Sequence, residues 1–412
     1  MTNSTQPAKP PEPPLDGIRV LDFSRVLAGP WATLNLADLG AEIIKIENPK
    51  GGDDSRNFER VEALHGESAY FPFVNRNKIS LALDFSTPSG CAVAKKLARD
   101  VDILIENFRP GVMRRRGLDY ESLRTLNPGL IYCSISGYGH DSPYRDLPGY
   151  DPVAQAESGM MSYNGEPDGA PLRTGVSYGD MFAGMYAAQA ILAALHARGR
   201  DGSGQFIDIA LLDTAVAMTA NLAQRYFITG ENAERVGNSH HFLEPVCLFD
   251  AKDGLISLII GNERQWERFC TDVIERPELL DDPRFATNAG RMQHRAETRD
   301  LLGAILRRDT RANWVRKFRA AGVPAGAVRE VGEALTSPEV EARGLIHEVT
   351  HPVAGSIQVV GTPMRLSRTP AAKPAPAPAL GEQSAEILRR FGYSDRDIAA
   401  LRADGAIPDA GE

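Results

Sequence analysis

The sequence is poor in cysteine and contains no long hydrophobic run. Its four cysteines, Cys91, Cys133, Cys247 and Cys270, lie far apart and form neither a CxxC pair nor a zinc-ligand spacing. Such residues are typical of the core of a protein in a reduced compartment. No apolar stretch approaches the about 18 residues that a membrane span needs, and the N-terminal residues lack the apolar segment of a signal peptide. These absences predict a cytoplasmic protein without a membrane partner.

The short motifs of metal, nucleoside-triphosphate and dinucleotide chemistry are also missing. The chain has no HExxH motif, no P-loop and no GxGxxG motif, and its first strand is followed by Arg25-Val26-Leu27-Ala28-Gly29-Pro30. Acidic residues outnumber basic ones, 54 to 46, which gives a formal net charge of -8. This balance argues against nucleic acid as a partner. We therefore expect no metal ion and no nucleic acid.

Strand and helix patterns alternate through the first half of the chain. Ile18–Phe23 and Glu42–Glu47 have the composition of buried strands, and a helix pattern from about Trp31 to Leu39 lies between them. Such a βαβ unit predicts a parallel sheet and the α/β class. Further strands are predicted at residues 79–84, 101–106, 130–136 and 205–211. Ligands of open α/β sheets bind beyond the carboxyl ends of the strands, so the segments after these strands are the first candidates for a site.

Composition divides the chain into a tail and two domains. Residues 1–14 are rich in proline and are predicted to be disordered. Residues 15–227 carry the alternating strands and helices and are assigned to a large domain. Residues 228–330 begin with a strand pair followed by helices, which predicts a smaller α+β domain.

Asp180 lies in the segment Thr174–Gly184, ahead of an apolar helix pattern that runs from Met181 to about Ala197. Because apolar residues occupy nearly all sides of this predicted helix, the helix is predicted to be buried. Asp180 falls in the first turn, where backbone N–H groups lack partners. It is then either a structural helix cap or a carboxylate held at the edge of a closed site. A carboxylate of ordinary pKa is ionised at neutral pH and needs no base to act as a nucleophile.

A run of arginines at residues 114–116 follows the strand predicted at residues 101–106. Such a run is commonly a solvated surface. Its place beyond a strand end also suits the binding of a phosphate group. The sequence leaves both interpretations open.

Eight short motifs follow one another in the chain between Leu15 and Pro324. They are Leu15–Pro30, Leu36–Glu47, Asn75–Lys78, Glu106–Gly111, Gly149–Asp151, Gly165–Gly169, Gly199–Gln205 and Gly322–Pro324. Together these segments resemble the family III coenzyme A (CoA) transferases over nearly the whole chain after Leu15. The resemblance implies a Rossmann-like large domain built from both chain ends, with residues 331–412 returning to it. It also implies the smaller α+β domain and an interlocked homodimer.

The resemblance implies that Asp180 is a catalytic nucleophile. In the family this carboxylate attacks an acyl-CoA thioester and forms a mixed anhydride, and CoA is finally transferred to an acceptor carboxylate. CoA is then a substrate, and no permanently bound cofactor is expected. The backbone amides near Gly179 are expected to stabilise the oxyanion that develops. Succinyl-CoA is a candidate donor.

Residues that contact CoA are carried over from the family by motif. They are Arg25, Leu27, Ala28, Leu83, Asn107, Phe108 and Arg109, with Arg115 for a phosphate group and Tyr150 and Asp151 near the thioester. Most of them follow predicted strands, where the ligand crevice of an open α/β sheet is expected.

Two departures from related enzymes narrow the activity. Formyl-CoA transferases that use oxalate resemble this chain but carry Gln in place of Leu27. They also carry a glycine run where this chain has Gly261-Asn262-Glu263. Oxalate is therefore not expected to be the substrate. The α-methylacyl-CoA racemases carry a basic His in place of Tyr150, and a tyrosine is a weak base near neutral pH. A racemase is therefore the alternative to the transferase, and a non-catalytic CoA-binding or dehydrogenase-like module is a third interpretation.

Overall fold

A six-stranded sheet organises the larger part of the molecule. The computed structural model describes residues 12–409. The strands of the sheet are β1 (Arg19–Asp22), β2 (Glu42–Glu47), β3 (Lys78–Ala82), β4 (Ile103–Glu106), β5 (Ile131–Ser136) and β6 (Phe206–Ala210). Their spatial order is β3-β2-β1-β4-β5-β6, and every neighbouring pair is parallel. The predicted α/β class is confirmed.

The remaining elements follow the same chain order. The other strands are β7 (Val246–Ala251), β8 (Gly254–Ile259), β9 (Ala325–Ala327), β10 (Ile346–His351) and β11 (Gly355–Val360). The helices are α1 (Ala28–Asp38), α2 (Tyr70–Asn75), α3 (Pro88–Arg99), α4 (Tyr120–Leu123), α5 (Asp151–Glu157), α6 (Tyr178–Asp201), α7 (Leu211–Ala217), α8 (Ala220–Thr229), α9 (Glu263–Arg268), α10 (Asn288–Gln293), α11 (Arg295–Leu306), α12 (Arg311–Ala321), α13 (Val331–Leu335), α14 (Pro338–Ala342), α15 (Ser384–Arg390) and α16 (Asp395–Ala403). Within residues 12–409, none of the helices is long and apolar enough to cross a membrane.

Helices cover both faces of the sheet, which explains why its strands are apolar along their length. Every residue of β4 and β5 is buried. On one face, Leu97 of α3, Ile387 of α15 and Ile398 of α16 enter the core. On the other face, Leu36 of α1 and Ile191 of α6 do so. Parallel sheets that are buried on both faces require such continuous apolar runs.

The direction of strand addition reverses between β1 and β4. From β1 the sheet extends through β2 to β3 on one side, and through β4, β5 and β6 on the other. In doubly wound sheets the ligand crevice lies at this switch point, beyond the carboxyl ends of the strands. Residues 25–28 and 107–109 leave the sheet there. The topology thus brings together segments that are about 80 positions apart in the sequence.

The chain divides into two compact units. The larger comprises the described residues up to Met160, Arg173–Ala223 and the residues from Arg343 onward, and the smaller comprises Met161–Leu172 and Gln224–Ala342. Residues 161–172, 224–227 and 331–342 were predicted to belong to the large domain, and the structure places all three segments in the smaller unit. Residues 161–172 belong to it because the Arg235 guanidinium donates to the carbonyl oxygens of Ser162 (3.3 Å) and Gly169 (2.8 Å). Of the predicted disordered tail, residues 1–11 lie outside the described part, and the Pro13 carbonyl accepts a hydrogen bond from the Asp16 N–H (3.2 Å).

The smaller unit is an α+β structure with its own core. Strands β7, β8 and β9 form an antiparallel sheet, and Lys252 and Asp253 connect β7 to β8. Aromatic side chains fill the space between this sheet and the helices, with Trp266, Phe269 and Phe318 almost completely buried. Aromatic rings bury a large apolar area each, so a few of them suffice for a small core.

Helix α6 is buried on one side only, so the prediction of a fully buried helix is wrong for this chain. Small residues, including Ala183, Gly184 and Ala187, face the core. Met185 and Tyr186 are exposed to 51% and 38%. The small residues are required because α1 packs very close to α6. A Cβ atom at Gly184 would lie 2.5 Å from the carbonyl oxygen of Ala28.

Two glycines of α6 give a matched stability test. At Gly199 an added Cβ meets no atom within 4 Å, so Gly199→Ala is expected to stabilise the fold by about 0.5–1 kcal/mol through helix propensity. Gly184→Ala is expected to destabilise it by about 1–3 kcal/mol, because the methyl group overpacks against α1. Urea unfolding of both variants measures the difference. Equal effects of the same sign would contradict the close packing of α1 on α6.

Candidate active site

The turn after β1 and the loop after β4 are joined by a pair of hydrogen bonds. The Arg25 N–H donates to Asn107 Oδ1 and Asn107 Nδ2 donates to the Arg25 carbonyl oxygen, both at 2.8 Å. The Arg25 guanidinium lies 5.1 Å from the centre of the Phe108 ring, within cation–π range. The structure thus brings three of the predicted CoA-contact residues together. The same guanidinium pairs with the exposed Asp54 carboxylate at 3.1 Å, so the switch point of the sheet presents an aromatic face beside an ion pair.

A buried ion pair supports this turn from below. Val26 has a positive φ of 67°, which is strained for a β-branched residue. Its N–H donates to Asp53 Oδ1 (3.1 Å), and Asp53 pairs with the fully buried ammonium group of Lys45 (2.8 Å). Burial by itself raises the pKa of Asp53, but Lys45 and the backbone donors outweigh it and hold the pKa well below its usual range. The charged Asp53 carboxylate therefore stabilises the strained turn.

Four of the predicted CoA-contact residues are buried: Asp151 of α5, and three residues that follow strands. Leu27 and Ala28 are each 4% exposed, and Leu83 is completely buried in the core against which Phe85 and Phe108 pack. The Leu83 side chain is fully enclosed in this core and has no exposed surface. The contact of Leu83 with CoA stays a prediction, and with the side chain buried it would have to be made by the Leu83 backbone.

A cavity of about 910 Å³ opens beside the loop that follows β4. Its wall carries four arginines, Arg109, Arg114, Arg115 and Arg145. Of these, only Arg109 and Arg115 belong to the predicted site. Arg145 reaches the cavity from a loop after β5, and the sequence gives no signal that distinguishes it from a surface arginine. Four carboxyl groups, those of Glu106, Asp119, Glu121 and Asp146, line the same cavity. A phosphate group would therefore be bound by individual guanidinium donors and not by a net positive charge of the cavity.

The floor of this cavity holds a buried carboxyl group. Glu106 is 4% exposed, and its Oε2 accepts the Phe108 N–H at 2.8 Å. Burial raises the pKa of Glu106 to about 7, although hydrogen bonds from Ser134 and the Phe108 backbone lower it. Ser134 also hydrogen-bonds with His140 Nε2 (2.8 Å), a further lining residue that sequence analysis missed. Glu106 fixes the loop that carries Phe108 and Arg109.

Asp180 is the third residue of α6 and is not its cap. Ser177 occupies the N-cap position and makes no side-chain capping bond. The Asp180 carboxylate is half-buried and has no hydrogen bond or ion pair among residues 12–409. Burial, and then the negative charge of Asp151, raise its pKa to about 7. Asp180 therefore differs from a carboxylate of ordinary pKa, and the sequence does not show how far the group is removed from water.

Asp151 lies next to the start of α6 and is almost completely buried. It is 2% exposed, and its Oδ1 accepts the Gly179 N–H at 2.8 Å while its Oδ2 accepts from Gln155 Nε2 at 2.7 Å. The Gly179 N–H is thus not available to an oxyanion, and stabilisation of the oxyanion by the neighbouring backbone amides stays a prediction. The neighbouring Tyr150 is 67% exposed.

The strand-end residues and the α6 residues form one region of the larger unit. Gly184, which lies one helical turn after Asp180, contacts the carbonyl oxygen of Ala28 so closely that a side chain is excluded. Tyr70 of α2 also lies in this region: burial, followed by the negative charge of Asp180, raises its pKa to about 12. No motif in the sequence pointed to Tyr70. Residues 12–409 contain no cluster of three or more potential metal ligands.

Comparison with known proteins assigns this chain to a family. The family model described as CoA-transferase family III matches residues 15–384. Succinate–glutarate CoA-transferase of Agrobacterium fabrum is 43% identical over 390 residues, which cover 93% of this chain and 97% of that protein. Succinyl-CoA:glutarate CoA-transferase of Homo sapiens is 38% identical over 395 residues, 96% of this chain and 90% of that protein. The crystal structure of a CAIB/BAIF family protein from Brucella suis has a TM-score of 0.84 and 38% identity, and the match covers 92% of this chain and 100% of that one.

The chain is therefore an α/β enzyme that transfers CoA. More specifically, it belongs to CoA-transferase family III, and the resemblance found in its sequence motifs is confirmed. Its substrates are CoA thioesters and carboxylates, and CoA is a substrate and not a resident cofactor.

The raised pKa of Asp180 predicts a pH-dependent cost in stability. Its folded pKa of about 7 lies above the ordinary value of 3.8, so between these values the unfolded chain releases the proton before the folded one does. The folded state of the parent protein therefore loses stability as pH rises toward 7. Asp180→Asn cannot ionise, and its melting temperature relative to the parent is expected to rise over this interval and then level off.

The matched control is Asp168→Asn, at an exposed carboxylate. Its difference from the parent is expected to stay flat across the same pH range. Differential scanning fluorimetry at several pH values measures both curves. A flat curve for Asp180→Asn would show that this carboxylate has an ordinary pKa.

Proposed function

We propose that this enzyme exchanges CoA between succinyl-CoA and a dicarboxylic acid such as glutarate, with Asp180 as the nucleophile. The observation that carries the proposal is the unpaired Asp180 carboxylate, half-buried beside the strand-end residues of the larger unit. The Agrobacterium and human relatives, whose names specify succinate or succinyl-CoA and glutarate, support this choice of substrates.

The chemistry consists of four balanced acyl transfers. An oxygen of Asp180 attacks the thioester carbonyl, the C–S bond breaks, and CoA thiolate leaves behind a mixed anhydride. The thiolate then attacks the aspartyl carbonyl of the anhydride, which forms an aspartyl–CoA thioester and releases the donor acid. The acceptor carboxylate displaces the thiolate from that thioester, and the thiolate finally attacks the acceptor carbonyl. Asp180 is regenerated, and no ATP is needed because one thioester replaces another.

The environment of Asp180 suits this role. Its partial burial removes water that would hydrolyse the anhydride. Burial and the charge of Asp151 raise the pKa of Asp180 to about 7, which makes its carboxylate a stronger nucleophile than an exposed one. The same shift leaves about half of the groups ionised at neutral pH. The oxyanion donor must be a group other than the Gly179 N–H, which donates to Asp151.

CoA binding is proposed along the carboxyl edge of the sheet. The Phe108 ring offers a face for the adenine. The Arg25 guanidinium, 5.1 Å from the centre of that ring, is proposed to exchange its exposed partner Asp54 (3.1 Å) for a phosphate of CoA. The cavity beside Arg109 and Arg115 offers guanidinium groups as donors to further phosphate groups. Tyr150, which is exposed just before α5, is proposed to contact the thioester.

A homodimer is proposed on the apolar surface of α6 and α7. Met185, Tyr186, Leu192 and Val216 are exposed on these helices of the larger unit. Large apolar side chains exposed side by side favour a protein–protein contact. An interlocked dimer of the kind implied by the resemblance would cover them. The cytoplasmic setting likewise stays a proposal, and it fits four free cysteines.

Trapping of the anhydride tests the proposed nucleophile. With succinyl-CoA and hydroxylamine, mass spectrometry is expected to find a hydroxamate on Asp180. Asp180→Asn is expected to lose both the label and at least about 10³-fold in kcat. Normal turnover by Asp180→Asn would refute the mechanism.

In the same assay, glutarate is expected to accept CoA and oxalate is expected to be inactive. Deuterium uptake at the α-carbon of a branched acyl-CoA without an acceptor would instead support the racemase alternative. Binding with neither exchange nor isotope uptake would support a non-catalytic module.

The arginines that line the cavity are expected to increase the affinity for succinyl-CoA through contacts with its phosphate groups. Arg115→Gln is expected to lower kcat/KM for succinyl-CoA about 10- to 100-fold through KM, because a charge-assisted phosphate contact is lost. Arg396→Gln, at an exposed position on α16, is the control and is expected to leave KM unchanged. Steady-state kinetics over a range of succinyl-CoA concentrations measures both variants. An unchanged KM in Arg115→Gln would exclude this phosphate contact.

A further inference from the structure

A buried glutamine links α5 to the segment that leads into Asp180, residues 174–179. Gln155, in α5, is 1% exposed. Its Nε2 donates to Asp151 Oδ2 at 2.7 Å, and its Oε1 accepts the Thr174 N–H at 3.0 Å. Asp151 and Gln155 are four residues apart and therefore lie on the same face of α5. Both ends of the Gln155 amide are thus engaged, one with a carboxylate and one with the backbone.

The segment from Thr174 to Gly179 is attached to α5 at both of its ends. At the first end, the Thr174 N–H donates to Gln155 Oε1; at the second, the Gly179 N–H donates to Asp151 Oδ1 at 2.8 Å. Between them, the Val176 carbonyl oxygen accepts from the Thr174 hydroxyl (2.7 Å) and from the Tyr178 N–H (2.8 Å). Asp180 follows Gly179 directly, so this segment sets where α6 begins and where its carboxylate lies.

We propose that Gln155 is a positioning residue for Asp180, acting through its hydrogen bonds to Asp151 and Thr174. The inference rests on the proposed role of Asp180 as nucleophile. Gln155 does not touch the substrate in this scheme. It fixes the Asp151 carboxylate, which holds the first turn of α6, and it fixes the backbone that leads into that turn. Small displacements of a nucleophile are costly because attack requires close alignment with the carbonyl carbon.

The chemistry of the amide explains why glutamine occupies this position. It presents a donor toward the Asp151 carboxylate and an acceptor toward the Thr174 N–H. A glutamate here would place a second carboxylate oxygen at the 2.7 Å contact, where two like charges repel each other. A methionine has a similar length but lacks the donor, and it would leave the Thr174 N–H without its partner.

Three variants separate positioning from folding. Gln155→Met and Gln155→Glu are expected to lower kcat about 10- to 100-fold and to change KM for succinyl-CoA by less than about twofold. The double variant Asp151→Asn with Gln155→Glu exchanges donor and acceptor and preserves every hydrogen bond of the network. It is expected to recover a large part of the kcat lost in Gln155→Glu.

The control for a general loss of stability is Asn127→Ala. The Asn127 side chain donates to the carbonyl oxygens of Ala98 (3.1 Å) and Val101 (2.8 Å). These two acceptors lie at the connection between α3 and β4, and all three residues are remote from Asp180 in the sequence. This variant is expected to lower the melting temperature and to leave kcat unchanged. A fall in melting temperature with unchanged kcat in Gln155→Met would overturn the inference.

The hydroxylamine experiment distinguishes failure of the inference from failure of the proposed function. If the parent protein is labelled at Asp180 and Gln155→Met is labelled at the same rate, the positioning role is wrong and the nucleophile stands. If the parent is not labelled at Asp180, the proposed function itself is wrong. A labelling rate that falls in parallel with kcat supports the positioning role.

Discussion

The buried pair of Lys45 and Asp53 is the interaction on which the carboxyl edge of the sheet depends. Removing two charges from water is costly, and here the cost is offset because Asp53 also binds the N–H of Val26 at a strained backbone position. The turn so held presents Arg25 to Asn107 of the adjacent loop. Without a charged and fixed Asp53, neither the turn nor its hydrogen bonds to the next loop would have a defined conformation.

Around Asp180 the protein uses the opposite arrangement. Asp53 is given a cation and donors, whereas Asp180 is given neither and lies near a second carboxylate, Asp151. The first environment lowers a pKa and stabilises the fold, and the second raises a pKa and destabilises it. An energetically unfavourable group that the surrounding structure retains is a frequent property of functional sites. The contrast between the two aspartates separates a structural role from a proposed catalytic one.

Part of this organisation could be predicted from residues alone. Apolar runs such as Ile103–Glu106 identified the parallel strands, and their order placed Arg25 and Asn107 at strand ends. The arginine run that includes Arg115 could be recognised as a possible phosphate site but not distinguished from surface. The contribution of Arg145 to the same cavity had no sequence signal, because it depends on how a later loop returns to the sheet.

The sequence by itself determined the α/β class, the family and the identity of Asp180 as the leading candidate, since these follow from local periodicity and ordered motifs. Only the tertiary structure decided which groups surround that carboxylate. It buried Asp151 and Gln155, occupied the Gly179 N–H and exposed Met185 and Tyr186 on α6. The reason is physical: hydrogen-bond partners, burial and pKa depend on distances between segments that are remote in the chain. Residue order does not specify those distances.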